Sequence, residues 1–249
     1  MLNRLRSIWI WGASATLILA WLPLVSLVWL LERDSRHLRA TRLFRFLGCL
    51  LAKVNPWRLH ITGAARIDRK QVYVVVSNHQ SLADIPLIAH LSMDTKWLGK
   101  AELFRVPVIG WMMRLVGDVP VERSDRRKAA QALLRCAAYL RQHVSVMFFP
   151  EGTRSRDGAV LPFNDGPFQL AIREKTPVLP LAIEGSGAAL PRSSWVFGGA
   201  QDIYLTVLDP VSVEGWNVRQ CPELRELVRH RIIDEVERLR RGATTASVH

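Results

Sequence analysis

The sequence predicts an α/β protein: a single domain with a mostly parallel or mixed twisted sheet flanked by helices, preceded by an N-terminal membrane-embedded helical segment. Three observations carry that prediction. Short β-branched runs alternate with amphipathic stretches from about residue 58 onward, the pattern of strands covered by helices on both faces. Residues 8–31 contain no charged side chain, which is enough helix to reach across a hydrocarbon core of about 30 Å. The chain of 249 residues can bury one sizeable core.

At the N-terminus, "IWIWGASATLILAWLPLVSLVWLL" (8–31) places Trp9, Trp11 and Trp29 toward its ends, where aromatic rings favour the membrane interface. A cleaved signal peptide has a shorter apolar run and a small-residue cleavage site, and this stretch has neither. Pro23 interrupts the helix, which leaves open whether it crosses the bilayer or dips into one leaflet. The following segment spaces Arg36, Arg39, Arg42 and Arg45 among Leu38, Leu43, Phe44 and Leu47. That pattern predicts a helix lying in the headgroup plane, and the positive-inside tendency puts residue 33 onward on the cytoplasmic side.

Strands are expected at 58–62, 72–77, 95–98, 118–121, 144–149, 178–183 and 202–208. Helical patterns fall near 82–92, 101–116, 124–142 and 166–175, with a closing helix at 222–241. In such a sheet, functional side chains gather in the loops that follow strand ends.

Net charge is +12, and residues 1–60 hold nine Lys/Arg against Glu32 and Asp34. A basic surface attracts nucleic acid, anionic lipid or an acidic protein. Adjacency to an apolar helix and the lack of a recognition motif argue against nucleic acid. Cys49, Cys136 and Cys221 are far apart without metal-type spacing, so they read as free thiols, and no metal site is signalled.

Three stretches have the residue types for chemistry. "VVVSNHQSLADIP" (74–86) ends a strand on His79 and brings Asp84 five positions later. Ser81 to Asp84 also fits a capping box. However, Pro86 would then fall at the fifth helical position, where the N–H is needed. A later helix start frees Asp84 to orient a general base at His79. "FFPEGTRSRDG" (148–158) breaks a strand at Pro150 and turns at Gly152, with Arg154 and Arg156 behind it, a form of phosphate or carboxylate cradle. "KAELFRVPVIGWMMRLVGDVPVER" (100–123) begins at Lys100 and ends at Arg123. Trp111, Met112 and Met113 there form either a wall facing an acyl chain or ordinary core,. The segment "EGSGA" at 184–188 only imitates the G-x-S-x-G elbow of an esterase,.

In order along about residues 58–210, these give HxxxxD, K-x-E-L…P-x-x-G, F-P-E-G-T-R-S, and T-P-V-L-P at 176–180. Together they resemble the glycerolipid acyltransferase family, closest to the bacterial 1-acyl-sn-glycerol-3-phosphate acyltransferases. The resemblance implies that residues 1–57 are membrane-anchoring helices and 58–249 the acyltransferase domain, with no cofactor beyond a thioester co-substrate, acyl-CoA or acyl carrier protein. It implies His79 as the base that deprotonates a lysophospholipid hydroxyl, Asp84 as its orienting acid, and direct attack on the thioester. Lys100 and Arg154 would hold the acceptor phosphate, with Glu151, Gly152 and Thr153 shaping that pocket and Arg123 near it. The expected location is the cell membrane with the catalytic domain on the cytoplasmic side. One departure stands out: Asn164 in "FNDGPF" replaces a frequent cation, which opens the acceptor to another lysolipid such as lyso-ornithine lipid. A non-catalytic membrane-binding protein is the alternative of a different class.

Overall fold

The computed structural model describes residues 2–122, 124–191 and 194–246. Two helices lead the chain, α1 (Leu2–Leu31) and α2 (Leu38–Lys53). The sheet strands are β1 (Trp57–Thr62), β2 (Val74–Ser77), β3 (Thr95–Lys100), β4 (Val119–Val121), β5 (Ser145–Phe148), β6 (Val178–Glu184) and β7 (Gln201–Val207). They lie in the order β1-β7-β6-β2-β5-β3-β4. Pairing is parallel from β6 through β4 and between β1 and β7, and antiparallel only between β6 and β7. The mixed twisted sheet expected from the sequence is present, with strands close to the predicted limits.

The central strands β2 and β5 are buried throughout, which is why "VVVS" and "SVMF" read as continuous apolar runs rather than alternating ones. One face of the sheet carries α5 (Arg126–Arg141), α6 (Gly166–Arg173) and α8 (Cys221–Ala246) over Val74, Val76, Val146 and Phe148. The other face packs Val75, Met147, Leu179 and Leu181 against α3 (Asp84–Ile88). Helix α5 starts where Asp125 accepts the N–H groups of Arg127 and Lys128, satisfying two of the orphan donors of its first turn. Two further helices complete the fold, α4 (Ile109–Leu115) and the single turn α7 (Ser186–Ala189).

Helix α1 is long and apolar enough to cross a membrane, yet it does not stand away from the domain. Near its start, Arg6 donates to Gly198 O at 2.7 Å, Trp11 Nε1 donates to Trp195 O at 2.8 Å, and Ser7 Oγ accepts the Phe197 N–H at 3.0 Å. Farther along, Val25 is buried with Phe44 and Leu47 of α2 and Met112 of α4. The opposite side of α1, including Ile8, Leu19, Leu27 and Leu30, is exposed.

Of the row Arg36, Arg39, Arg42 and Arg45, Arg39 is exposed as expected of a headgroup-facing residue, while the other three pair with acids of the protein. Arg36 pairs with Asp34 at 2.8 Å, Arg42 with Asp94 at 2.7 Å, and Arg45 with the buried Asp118 while its guanidinium lies 4.6 Å over the Trp97 ring. Sequence spacing places these side chains on a helix face but not the acids of the α3–β3 connection and β4 opposite them. Gly48 makes the close approach possible, since a Cβ there would meet Ala89 Cβ at 2.8 Å. Beneath α2, Lys96 is only 1% exposed and donates to Thr41 Oγ1 at 2.6 Å, Arg36 O at 2.6 Å and Val116 O at 2.5 Å. Burial pushes its pKa down to about 8, so it is still a cation at neutral pH. One ammonium thus ties α2, β3 and the end of α4 together.

Candidate active site

His79 follows the C-terminal end of β2, which has a parallel neighbour on each side, β6 and β5. Its loop is clamped before the side chain does anything. Asn78, 1% exposed, donates Nδ2–H to Ile183 O and accepts the Ile183 N–H on Oδ1, both at 2.8 Å. The side chain thereby imitates one more residue of the β2–β6 ladder. From the β5 side, Glu151 Oε1 accepts the His79 N–H at 3.0 Å, and Ser155 N donates to His79 O at 2.8 Å. The His79 ring stacks on Phe149 with centroids 3.9 Å apart.

His79 Nδ1 lies 2.6 Å from Asp84 Oδ2, and that oxygen also accepts the N–H groups of Gln80 at 2.8 Å and Ser81 at 3.0 Å. Asp84 is fully buried. Three hydrogen-bonding groups converge on this one carboxylate oxygen and fix it against the imidazole. Helix α3 begins at Asp84 itself, so Pro86 sits in the first turn where a missing N–H costs nothing. The capping box expected at Ser81 is not formed, since Ala83 is the N-cap and has no side-chain cap bond; the Asp84 carboxylate instead closes the 79–81 turn and meets the ring. With Nδ1–H directed at Asp84, the imidazole keeps Nε2 as its proton acceptor.

Glu151 is sited differently from a pocket wall. Its carboxyl is buried and accepts the backbone N–H of His79, and burial pushes its pKa up to about 8. Gly152 takes φ 73 to make the turn after it, a conformation that disfavours side chains. Thr153 is exposed, Arg154 half-buried, and Lys100 exposed with Nζ 3.1 Å from Glu102. The structure thus brings His79, Asp84 and Glu151 into contact, while Lys100 lies on the end of β3, beyond β5. Arg123 is outside the described residues. Met112 is fully buried against α1 and α2, whereas Trp111 is exposed, so the two do not form one wall.

The structure gives two further sequence features their partners. Both Asn164 N and Nδ2 donate to Pro150 O, at 2.9 and 2.6 Å, so this residue braces the 150–154 turn instead of offering a charge to the acceptor. Ser186 of "EGSGA" is buried with its hydroxyl 3.4 Å from Gln80 Oε1, not presented to His79. Asn78 beside HxxxxD, and Phe149 and Ser155 within F-P-E-G-T-R-S, are site residues to which the motifs gave no role. Only Asn78, a polar residue at the end of an apolar strand, carried a signal.

Comparison with known proteins decides the family. A match to the acyltransferase family spans residues 58–184.

The chain belongs to the acyltransferase family.

This acyltransferase is 34% identical over 205 residues to "1-acyl-sn-glycerol-3-phosphate acyltransferase LPAT1, chloroplastic" of Arabidopsis thaliana, covering 77% of this chain and 55% of the relative. It is 32% identical over 201 residues to "1-acyl-sn-glycerol-3-phosphate acyltransferase alpha" of Mus musculus, covering 80% and 70%. The chain spans about half the length of several plant and algal relatives it matches. The crystal structure of the 1-acyl-sn-glycerophosphate (LPA) acyltransferase PlsC from Thermotoga maritima superposes with a TM-score of 0.83 at 28% identity, covering 96% of both chains. The likeness to PlsC includes α1 and α2, since it extends over nearly the whole chain.

Proposed function

We propose that this acyltransferase moves a fatty acyl chain from a thioester, acyl-CoA or acyl carrier protein, to the free hydroxyl of 1-acyl-sn-glycerol 3-phosphate, giving phosphatidic acid. The observation that carries the reading is the His79–Asp84 pair at 2.6 Å on a strand end where α/β sheets bind ligands. His79 Nε2 takes the hydroxyl proton, the oxygen attacks the thioester carbonyl carbon, and the C–S bond breaks. The leaving thiolate then takes the proton from the imidazolium, which Asp84 stabilises meanwhile. Direct attack is favoured by the neighbouring hydroxyls: Ser77, Ser81 and Ser155 direct theirs to Asn78 O, Leu190 O and Asp157. The names of the relatives and of the Thermotoga structure supply the acceptor, and the basic side chains Arg154 and Lys100 suit its phosphate.

The membrane supplies that acceptor laterally. Because α1 is fastened to the domain at both ends, a full crossing would carry polar protein surface into hydrocarbon, at several kcal/mol per unsatisfied polar group. On this reading the exposed stripe of α1 rests in one leaflet of the cell membrane with the catalytic domain on the cytoplasmic side, and the exposed Leu103, Val106 and Trp111 suit contact with the same leaflet. The test is His79→Ala in purified membranes, assayed with lysophosphatidate and lyso-ornithine lipid against both thioester donors. Acyl transfer to lysophosphatidate falls ~10²–10⁴-fold with membrane attachment intact. Wild-type transfer rates in the variant, or transfer only to lyso-ornithine lipid in the parent, would refute the assignment.

A further inference from the structure

A groove of about 630 Å³ opens on the β6 side of His79, within the ~300–1,000 Å³ range of small-molecule sites. One wall is the 155–158 loop, with Ser155, Arg156 and Gly158. The other is the stretch from Glu184 to Ala188, and Gln80, next to His79, closes the inner end. Of the two side chains proposed for the acceptor phosphate, Arg154 immediately precedes the Ser155 wall of the groove, whereas Lys100 lies away from it on β3. In the order β6-β2-β5-β3, Lys100 is two strand spacings away, about 10 Å.

The lining chemistry excludes two occupants. No Leu, Ile, Met, Phe or Trp is among the lining residues, so the groove offers no apolar wall worth ~0.8 kcal/mol per buried CH₂ of a fatty chain. Charges within it balance: Glu184 Oε2 is 3.0 Å from Arg240 Nη2 and accepts from Gln80 Nε2 at 2.9 Å. Asp157 neighbours Arg156 on the 155–158 wall, and with Glu184 opposite them the described lining residues offer a phosphate deep inside no net cation. What fits is a slender, neutral chain with amide donors and acceptors. At the outer end Arg156 is exposed and forms no ion pair with any described residue, which suits an anion placed there.

We propose that this groove receives the 4′-phosphopantetheine arm of the acyl donor, with its sulfur end toward His79 and its phosphate at Arg156. The proposal rests on the thioester reading above and adds where the carrier binds. Coenzyme A and acyl carrier protein share this arm, so one groove serves either.

The test uses the full-length enzyme with lysophosphatidate and palmitoyl-CoA varied separately. A Cβ at Gly187 would stand 3.7 Å from Gln80 Cβ, ordinary contact, so Gly187→Leu narrows the inner groove, while Arg156→Ala removes the rim cation. Each variant raises KM for palmitoyl-CoA at least tenfold and leaves KM for lysophosphatidate within twofold. S-methylpantetheine 4′-phosphate inhibits the parent competitively against palmitoyl-CoA and loses at least fivefold potency in Arg156→Ala. If Gly187→Leu does not fold, the exposed Arg156 variant decides. A rise in KM for lysophosphatidate instead assigns the groove to the acceptor and overturns the proposal, as do two unchanged KM values. A parent enzyme that uses no thioester at all overturns the functional reading as well, which separates the two failures.

Discussion

Glu151 Oε1 accepts the backbone N–H of His79 at 3.0 Å, so the acid of the E-G-T-R segment acts on the main chain that presents the base. Its pKa of about 8 means that it is mostly a neutral acid at physiological pH. Glu151→Gln keeps an oxygen acceptor of the same shape and is expected to retain activity within about tenfold. Glu151→Ala leaves the His79 N–H unpaired, at ~1–3 kcal/mol, and is expected to lose most activity with kcat falling more than KM. Steady-state kinetics of the two variants check this. An inactive Glu151→Gln with intact folding would show that the carboxyl does more than hold the loop.

The same residue sets a pH dependence of stability. Its folded pKa lies above the ordinary 4.5. Between about pH 4.5 and 8 the folded chain therefore keeps a proton that the unfolded chain has released. That stabilisation is complete below pH 4.5 and is lost as pH rises through 8. At about 1.4 kcal/mol per pKa unit, it is on the order of 5 kcal/mol. Thermal unfolding of the parent should show Tm declining from pH 5 to 8.5, and Glu151→Gln should flatten that decline. Equal slopes in both proteins would contradict the assignment.

Asp84→Asn separates orientation from charge. An amide oxygen can still accept the N–H groups of Gln80 and Ser81, so the turn and the Tm survive. The imidazolium loses its counter-charge and Nδ1–H its anionic acceptor. We expect kcat to fall ~10²–10⁴-fold with lysophosphatidate KM little changed, measured by release of coenzyme A thiol. A KM effect alone would mean that Asp84 serves binding instead.

Lys96→Met removes the three donors that tie α2 to β3 and α4 while keeping the length of the side chain. Acceptors left buried cost ~1–3 kcal/mol each, partly offset because a costly buried charge is also removed. The expected net loss is about 1–3 kcal/mol in chemical denaturation. Amide exchange should quicken in α2 and the end of α4 before it does in β2 or β5. Uniform quickening through the sheet would show that Lys96 supports the whole core.

Several elements were legible from residue order because their physics is local. The β-branched runs of β2, β5 and β6, the Asp125 cap of α5 and the uncharged stretch of α1 each depend on neighbours within a few positions. The HxxxxD spacing belongs with them, since five residues of turn can bring Asp84 under His79 without help from elsewhere. The bracing of that turn was not legible. Asn78 meets Ile183 and His79 meets Glu151 only because β6 and β5 flank β2, and strand order is set by packing across the whole sheet. Asn164 looked like a missing cation because its partner, Pro150 O, is brought to it by the fold.

Residue order by itself determined an apolar N-terminal helix, a mixed α/β sheet, and a histidine and aspartate at one strand end, because periodicity and short spacing are properties of a chain segment. Tertiary structure alone decided that α1 lies fastened along the domain, that Arg42 and Arg45 face protein acids, that Glu151 holds a backbone, and that a polar groove opens behind Gln80. Each of these joins groups far apart in the chain, and only burial of the shared core fixes which of them meet.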